Sequence, residues 1–189
     1  MHGSAPFGIA LFGTALGPCG IAWSAQGICA VQLPEADEAA TRARLARRRP
    51  SAHEQAPPAN VRFATSRIIA LLAGERVHFD DIALDLRGVP PFNLRVYEFA
   101  RRIPAGETRS YGEIAAQLAE PGAARAVGQA LGQNPMPIII PCHRVLAAGQ
   151  RPGGFSAHGE IATKRRLLEI EGALAAERLP LFSEANHVR

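Results

Sequence analysis

Apolar residues along this chain follow two rhythms, and the change between them divides it. From Phe7 to Leu33 they come in short runs: Phe7-Gly8-Ile9-Ala10-Leu11-Phe12, then Gly20 to Trp23, then Ile28 to Leu33. Leu16-Gly17-Pro18 and Ser24 to Gly27 interrupt them, so the stretch predicts a meander of three short strands. From Pro34-Glu35 to about Arg48 the composition turns to Ala, Glu and Arg and predicts a helix. Pro50 to Ala59, with three prolines among Ser, His and Gln, reads as an exposed loop. Asn60 to Gly74 predicts a second helix, its apolar part Ile68, Ile69, Leu71 and Leu72, with Gly74 as the stop. Asp81 to Leu86 could return as a strand.

Gly88-Val89-Pro90-Pro91 is the natural boundary. Residues 1–90 are expected to form a small α+β domain with antiparallel strands, and 91–189 a mostly helical one. Phe92, Val96, Phe99, Ala100 and Ile103 recur at helical spacing, so the first helix of this part buries one face. Ser110-Tyr111-Gly112-Glu113 is a capping box that opens a second helix, broken at Glu120-Pro121-Gly122. A third runs from Ala123 to about Gly132, which makes a helix-turn-helix pattern with a three-residue turn. On this third helix Ala126, Val127, Ala130 and Leu131 fall on one side and Arg125, Gly128, Gln129 and Gly132 on the other. Two glycines cost a helix roughly 1 kcal/mol each relative to Ala. They suit either close packing against a neighbouring helix or close approach of this face to another surface, with Arg125 reaching into it.

The candidate chemistry lies in Ile138-Ile139-Ile140-Pro141-Cys142-His143-Arg144-Val145. The isoleucines read as a short buried segment whose pairing Pro141 ends, since proline has no N–H to give. Pro141 also suits the first position of a helical turn. On that reading Cys142 stands at a helix N-terminus, where the backbone dipole favours a thiolate. A small buried cysteine that only packs is the alternative. Residues 147–156 form a Gly-rich loop without a phosphate-binding motif, better read as an active-site wall. The last helix, from about Ile161 to Ile170 with Gly172 as its stop, carries Ile161, Leu167 and Leu168 on one face. Glu171 falls in the middle of that face, where a carboxylate must find a partner. Lys164 shares the face and could serve; His143 is the other candidate, and Cys-His-Glu would be nucleophile, base and orienting acid.

Composition changes little in this picture. The chain has 189 residues, 47% hydrophobic and 20% charged, which excludes disordered, collagenous and disulfide-scaffold classes. A net charge of +4 fits a polyanion partner without demanding one. Cys19, Cys29 and Cys142 are odd in number and lack CxxC spacing, and His2 and His78 are scattered, so neither disulfides nor a metal site is signalled. No N-terminal stretch has the form of a secretion signal and no apolar run approaches the ~20 residues of a membrane span, so a cytoplasmic protein without membrane partners is expected.

These pieces occur together in one family. Tyr111, Arg125-Ala126-Val127-Gly128, Asn134-Pro135, Pro141-Cys142-His143-Arg144-Val145, Gly154-Phe155-Ser156, and Leu167-Leu168 with Glu171-Gly172 resemble the 6-O-alkylguanine-DNA alkyltransferases. The resemblance is dense from Pro91 to Ala173 and weak before it. It implies a winged-helix-like DNA-binding part, a double-stranded DNA partner carrying an alkylated base, and direct transfer of that alkyl group to Cys142. His143 is then the base acting through a water, Glu171 the acid orienting it, and Asn134 part of the network shaping the active-site turn. Tyr111 turns the target phosphate and donates to the purine, and Arg125 fills the gap left by the flipped base. Ala124, Ala126, Gly128, Gln129 and Arg144 are the further DNA contacts implied, and Pro137, Val145, Phe155 and Ser156 the lining of the base pocket. The resemblance implies no metal, no cofactor and a monomer, acting on 6-O-alkylguanine and, as a second candidate, 4-O-alkylthymine.

The loop Phe155-Ser156-Ala157-His158-Gly159 departs from relatives that have a tyrosine first and paired glycines after the serine, which bears on the size of alkyl group accepted. The metal-ligand set of some relatives' N-terminal domain has no clear match. Two other classes compete. A lesion-binding protein without chemistry would carry another residue in place of Cys142. A Cys/His hydrolase would have no use for the Arg125 helix and its bare face.

Overall fold

The structure is a computed structural model that describes residues 7–150 and 160–174. The meander forms as expected: β1 (Phe7–Thr14), β2 (Gly17–Ser24) and β3 (Gly27–Gln32) pair antiparallel through two-residue turns. Gly27 closes the second turn at φ 142°, and a Cβ there would stand 2.3 Å from the carbonyl oxygen of Ala83, so only glycine fits. Helix α1 (Glu38–Arg48) starts at Asp37, whose side chain accepts from the N–H of Ala40, and buries Leu45 against the sheet.

The expected loop from Pro50 to Ala59 contains a further strand, β4 (Ala52–Glu54), which extends the sheet in the order β3-β2-β1-β4. It runs parallel to β1 over only three residue pairs, too short for a periodic signal. Helix α2 (Ala59–Leu72) follows, and Gly74 stands at φ 96° beyond its end. The strand expected over Asp81–Leu86 is a single bridge between Leu84 and Ile28.

Helix α3 (Pro91–Arg101) buries Asn93, Val96, Tyr97 and Ala100, with Phe92 and Phe99 at the margin of that face. The Tyr97 hydroxyl donates to the carbonyl of Ala130, tying α3 to α5 (Ala124–Gly132). Between them β5 (Arg109–Ser110) leads into α4 (Tyr111–Gln117), and both hydrogen bonds of the capping box are made. Six residues, Leu118–Ala123, separate α4 from α5 where a three-residue turn was expected, because α4 stops two residues early and Ala119 (φ 59°) and Gly122 (φ 96°) turn left-handed. Arg95 braces this turn through the Glu120 carboxylate and the Leu118 carbonyl.

After α5 the chain passes through the active-site turn into β6 (Val145–Leu146), parallel to β5, and α6 (Glu160–Ile170) packs against that turn. The architecture is α+β, an antiparallel sheet joined to a helical C-terminal part. One hydrophobic cluster runs through both, from Cys19, Ile21 and Val31 through Ile68 and Leu71 to Val96, Ile114, Met136, Cys142 and Leu167. The N–H of Val31 on the β3 edge donates to the carbonyl of Pro135 at 2.9 Å, so the sheet is bonded directly to the segment leading into the site.

Candidate active site

Ile138, Ile139 and Ile140 are all buried but do not form a strand. They make a turn in which Ile138 adopts φ 75°, rare for a β-branched residue. Asn134 holds that turn from inside: its Nδ2 donates to the Ile140 carbonyl at 2.8 Å and its Oδ1 accepts from the Met136 N–H at 2.9 Å. The turn delivers Pro141 and then a single 3-10 turn, Cys142–Arg144.

Cys142 is 6% exposed. Burial pushes its thiol up from the ordinary cysteine range, against the lowering influence of the Asn134 side chain, the Lys164 charge and the N–H groups of Cys142 and His143. The expected helix-start thiolate is therefore corrected. One 3-10 turn carries too small a dipole to offset complete desolvation, and the resting residue is a thiol.

A buried thiol needs a base, and His143 is next to it in sequence. Its side chain is fully buried, and its Nε2 lies 2.9 Å from Oε1 of Glu171. Of the two candidate partners for Glu171, the imidazole is the one it takes; Lys164 points elsewhere. Burial raises the Glu171 pKa, but the hydrogen bonds from His143 and Arg144 outweigh it and bring the carboxyl down to about 2. An ionised carboxylate only accepts, so the His143 proton sits on Nε2 and Nδ1 carries the free lone pair. Nδ1 is buried and has no hydrogen-bond partner among the described residues. Desolvation keeps the imidazole pKa below its ordinary value despite Glu171, so His143 is neutral and able to accept a proton.

Arg144 is corrected. It was expected among the DNA contacts, yet it is 5% exposed and its guanidinium is committed inward. Nε and Nη2 donate to the two oxygens of Glu171 at 2.9 and 2.8 Å, and Nη1 donates to the Ile103 carbonyl. It neutralises the carboxylate that orients His143 and leaves no face for a phosphate. Sequence could not separate a buried arginine from an exposed one.

Tyr111 is half-buried at the first position of α4, brought beside the site by the pairing of Ser110 with Leu146. Burial, and then the nearby Cys142, raise its phenol pKa, so it remains a hydrogen-bond donor. On α5, Val127, Ala130 and Leu131 face the core, while Arg125, Gln129 and Gly132 are exposed and Ala124, Ala126 and Gly128 lie between. Arg125 has no hydrogen-bond or ion-pair partner among the described residues. A Cβ on Gly128 would meet the Tyr111 ring at an ordinary 3.8 Å, and one on Gly132 would meet nothing. Internal packing therefore does not demand these glycines. Pro137 is half-buried at the start of the turn and Val145 is fully buried, whereas Phe155, Ser156 and the rest of the loop after Gln150 lie outside the described residues.

The model of a family described as 6-O-methylguanine DNA methyltransferase, DNA binding domain, matches residues 91–173. A methylated-DNA–protein-cysteine methyltransferase of Mycobacterium tuberculosis is 51% identical over 119 residues, which cover 63% of this chain and 70% of the relative. The chain belongs to the methylated-DNA–protein-cysteine methyltransferase family. A relative from Methanothermobacter thermautotrophicus is 33% identical over 153 residues and extends the likeness to 81% of this chain and 78% of its own length. Among solved structures, Mycobacterium tuberculosis OGT in complex with DNA matches with a TM-score of 0.73 at 38% identity, covering 88% of this chain and 93% of that one. The methyltransferase of Pyrococcus kodakaraensis matches with a TM-score of 0.69 at 26% identity, covering 88% of this chain and 99% of that one.

Within this methyltransferase, Cys19 and Cys29 are buried in the N-terminal part. Burial raises the pKa of both thiols, to about 11 for Cys19. Lys164 is left without a role in the sequence once Glu171 is assigned. The signal for it was its place on the apolar face of α6.

Proposed function

We propose that this chain repairs alkylated DNA by moving the alkyl group from 6-O-alkylguanine to Sγ of Cys142. The observation that carries the reading is the 2.9 Å contact of Glu171 with His143 beside a buried thiol, with Arg144 neutralising the acid. Nδ1 of His143 takes the thiol proton by way of a water. The thiolate pair forms the S–C bond, the C–O bond breaks, and its electrons go to the purine, which gains a proton. Net, one proton passes from sulfur to base. Tyr111 donates to the purine as it leaves, and Asn134 fixes the turn on which Cys142 rides.

The target atom lies inside a duplex, so the nucleotide must be extruded. Arg125, exposed and uncommitted on α5, fills the gap in the stack. Ala124, Ala126, Gly128 and Gln129 form the smooth face that meets the minor groove. Pro137 and Val145 border the base pocket. 4-O-alkylthymine is a second candidate substrate. The chain works as a monomer in the cytoplasm, its sheet part ending near residue 90 and its DNA-binding part beginning at 91. Among the described residues no helix is long and apolar enough to cross a membrane.

A thioether is a poor leaving group, so each molecule acts once. Incubation with methylated duplex DNA should add about 14 mass units, a methyl for a proton, to the peptide containing Cys142 and to no other. Product should equal active protein, and Cys142→Ser should bind DNA and transfer nothing. Turnover well past one equivalent, or an adduct on Cys19 or Cys29, would overturn the reading.

A further inference from the structure

Strand β1 is covered by β2 along one side, but on the other side β4 reaches only Phe7, Gly8 and Ile9. The N–H of Gln55 donates to the Ile9 carbonyl at 3.3 Å and ends that ladder, and Pro57 and Pro58 follow. Backbone groups alternate sides along a strand, so those of Leu11 and Gly13 point the same way as those of Ile9. Pro18 agrees with this phase: it stands opposite Gly13 and has no N–H to give it. Among the described residues nothing bonds to the N–H or carbonyl of Leu11 or Gly13. These groups open onto a groove of about 800 Å³, walled further by Glu38 and Arg42 of α1 and by Glu54 and Gln55. The usual guards of an open edge, a lysine, a proline or an inward charge, are absent from residues 10–14.

We propose that this free edge of β1 is a docking site for an extended, basic segment of another protein, which adds to the sheet as a strand in line with β4. A second copy of the chain does not fit. Antiparallel pairing of two β1 edges about Phe12 would set residue 15 of one copy opposite Ile9 of the other, where Glu54 already lies. Charge selects the incoming segment. Glu38 and Glu54 line the groove with a single cation, Arg42, which pairs with both, so the lining keeps one net negative charge. Leu11 and Phe12 are half-buried on opposite faces of the edge and offer apolar surface to a new neighbour. The α1 face beside Leu11 is the charged one, while Phe12 packs against the main core cluster. The fitting segment therefore alternates apolar residues on the Phe12 side with a lysine or arginine on the α1 side. This surface lies outside the alkyl-transfer reading and does not depend on it.

The test is amide hydrogen exchange, read residue by residue by NMR on the full-length protein, with the peptide acetyl-Val-Thr-Val-Lys-Val-amide as probe. In the free protein Leu11 and Gly13 should exchange faster than Ala10, Phe12 and Thr14, which face β2. With the peptide at about ten times its Kd, exchange at Leu11 and Gly13 should slow roughly tenfold. Glutamate in place of the peptide's lysine should weaken binding about threefold. N-methylation of alternate peptide residues separates an added strand from loose adsorption: one phase should abolish binding and the other spare it. Gly13→Pro removes a groove-facing N–H and should lose the peptide while alkyl transfer stays at the wild-type rate. Slow exchange at both amides in the free protein would mean that the chain covers its own edge. Protection that rises with protein concentration alone would put a second copy there. Either result overturns the proposal, as do unchanged exchange at the highest soluble peptide concentration, undiminished binding by a folded Gly13→Pro protein, and equal binding by the two N-methylated phases. Should Gly13→Pro not fold, the N-methylated peptides on the wild type decide.

Discussion

The carboxylate of Glu171 lies 2.9 Å from Nε2 of His143, across 28 residues of chain, with both side chains withdrawn from solvent. That contact fixes the imidazole tautomer and turns Nδ1 into the accepting atom. Glu171→Gln keeps the shape but leaves Arg144 as an uncompensated buried charge. Breaking a buried pair in this way costs about 3–5 kcal/mol, and loss of the oriented base should slow transfer by roughly 10²-fold or more. Chemical denaturation and single-turnover rates check both. Wild-type melting and wild-type rates together would make the carboxylate a bystander.

Stability should decline on the acid side in two stages. The folded-state pKa of His143 is depressed, so below about 6.5 the unfolded chain binds a proton that the folded one resists, and stability falls with pH. Glu171 ionises at about 2 when folded, so its contribution is complete above the ordinary glutamate range near ~4.3 and disappears as pH falls toward that lower value. Denaturation curves taken at a series of pH values should show the lower stage vanish in Glu171→Gln. Persistence of the full acid limb in that variant would assign it to other carboxylates.

Arg125→Ala should separate duplex from free base. An extruded base costs a few kcal/mol of unstacking, and on the proposed reading the guanidinium offsets part of it. Repair of methylated duplex should therefore slow while reaction with free 6-O-benzylguanine stays at the wild-type rate, provided that base enters the pocket. Equal losses on the two substrates would give Arg125 a role in the fold.

The glycines of α5 make an independent test of the DNA face. Gly132→Leu would project into open space, and Gly128→Ala would gain helix propensity of up to about 1 kcal/mol without a clash. Thermal melting should be unchanged for the first and raised by a few degrees for the second. Affinity for duplex DNA, measured in a Cys142→Ser background, should drop for both. Undiminished DNA binding by a folded Gly132→Leu protein would move the interface off this face.

The site was legible where a residue violated its surroundings. Glu171 on an apolar face and two glycines in one helix could be read as questions, and geometry supplied the answers: His143 for the first, and no crowding neighbour for the second. Less was legible where the outcome depended on long-range pairing. Ala52–Glu54 has no alternation of its own and becomes a strand only because Phe7–Ile9 lies beside it. Ile138–Ile140 has the composition of a strand, but Asn134 folds it into a turn through two side-chain bonds. Arg144 and Lys164 are cations in sequence, and only burial distinguishes them from solvated ones.

The junction at Val31 and Pro135 has a bearing on how this chain tolerates change. The sequence suggests a boundary near residue 90, but the interior has none, since one apolar cluster passes from the sheet to the floor of the catalytic turn. Replacements in the sheet, far from any base, will therefore reach the sulfur. A library that varied Val31, Ile68 or Leu71 for solubility would at the same time be sampling catalytic rates.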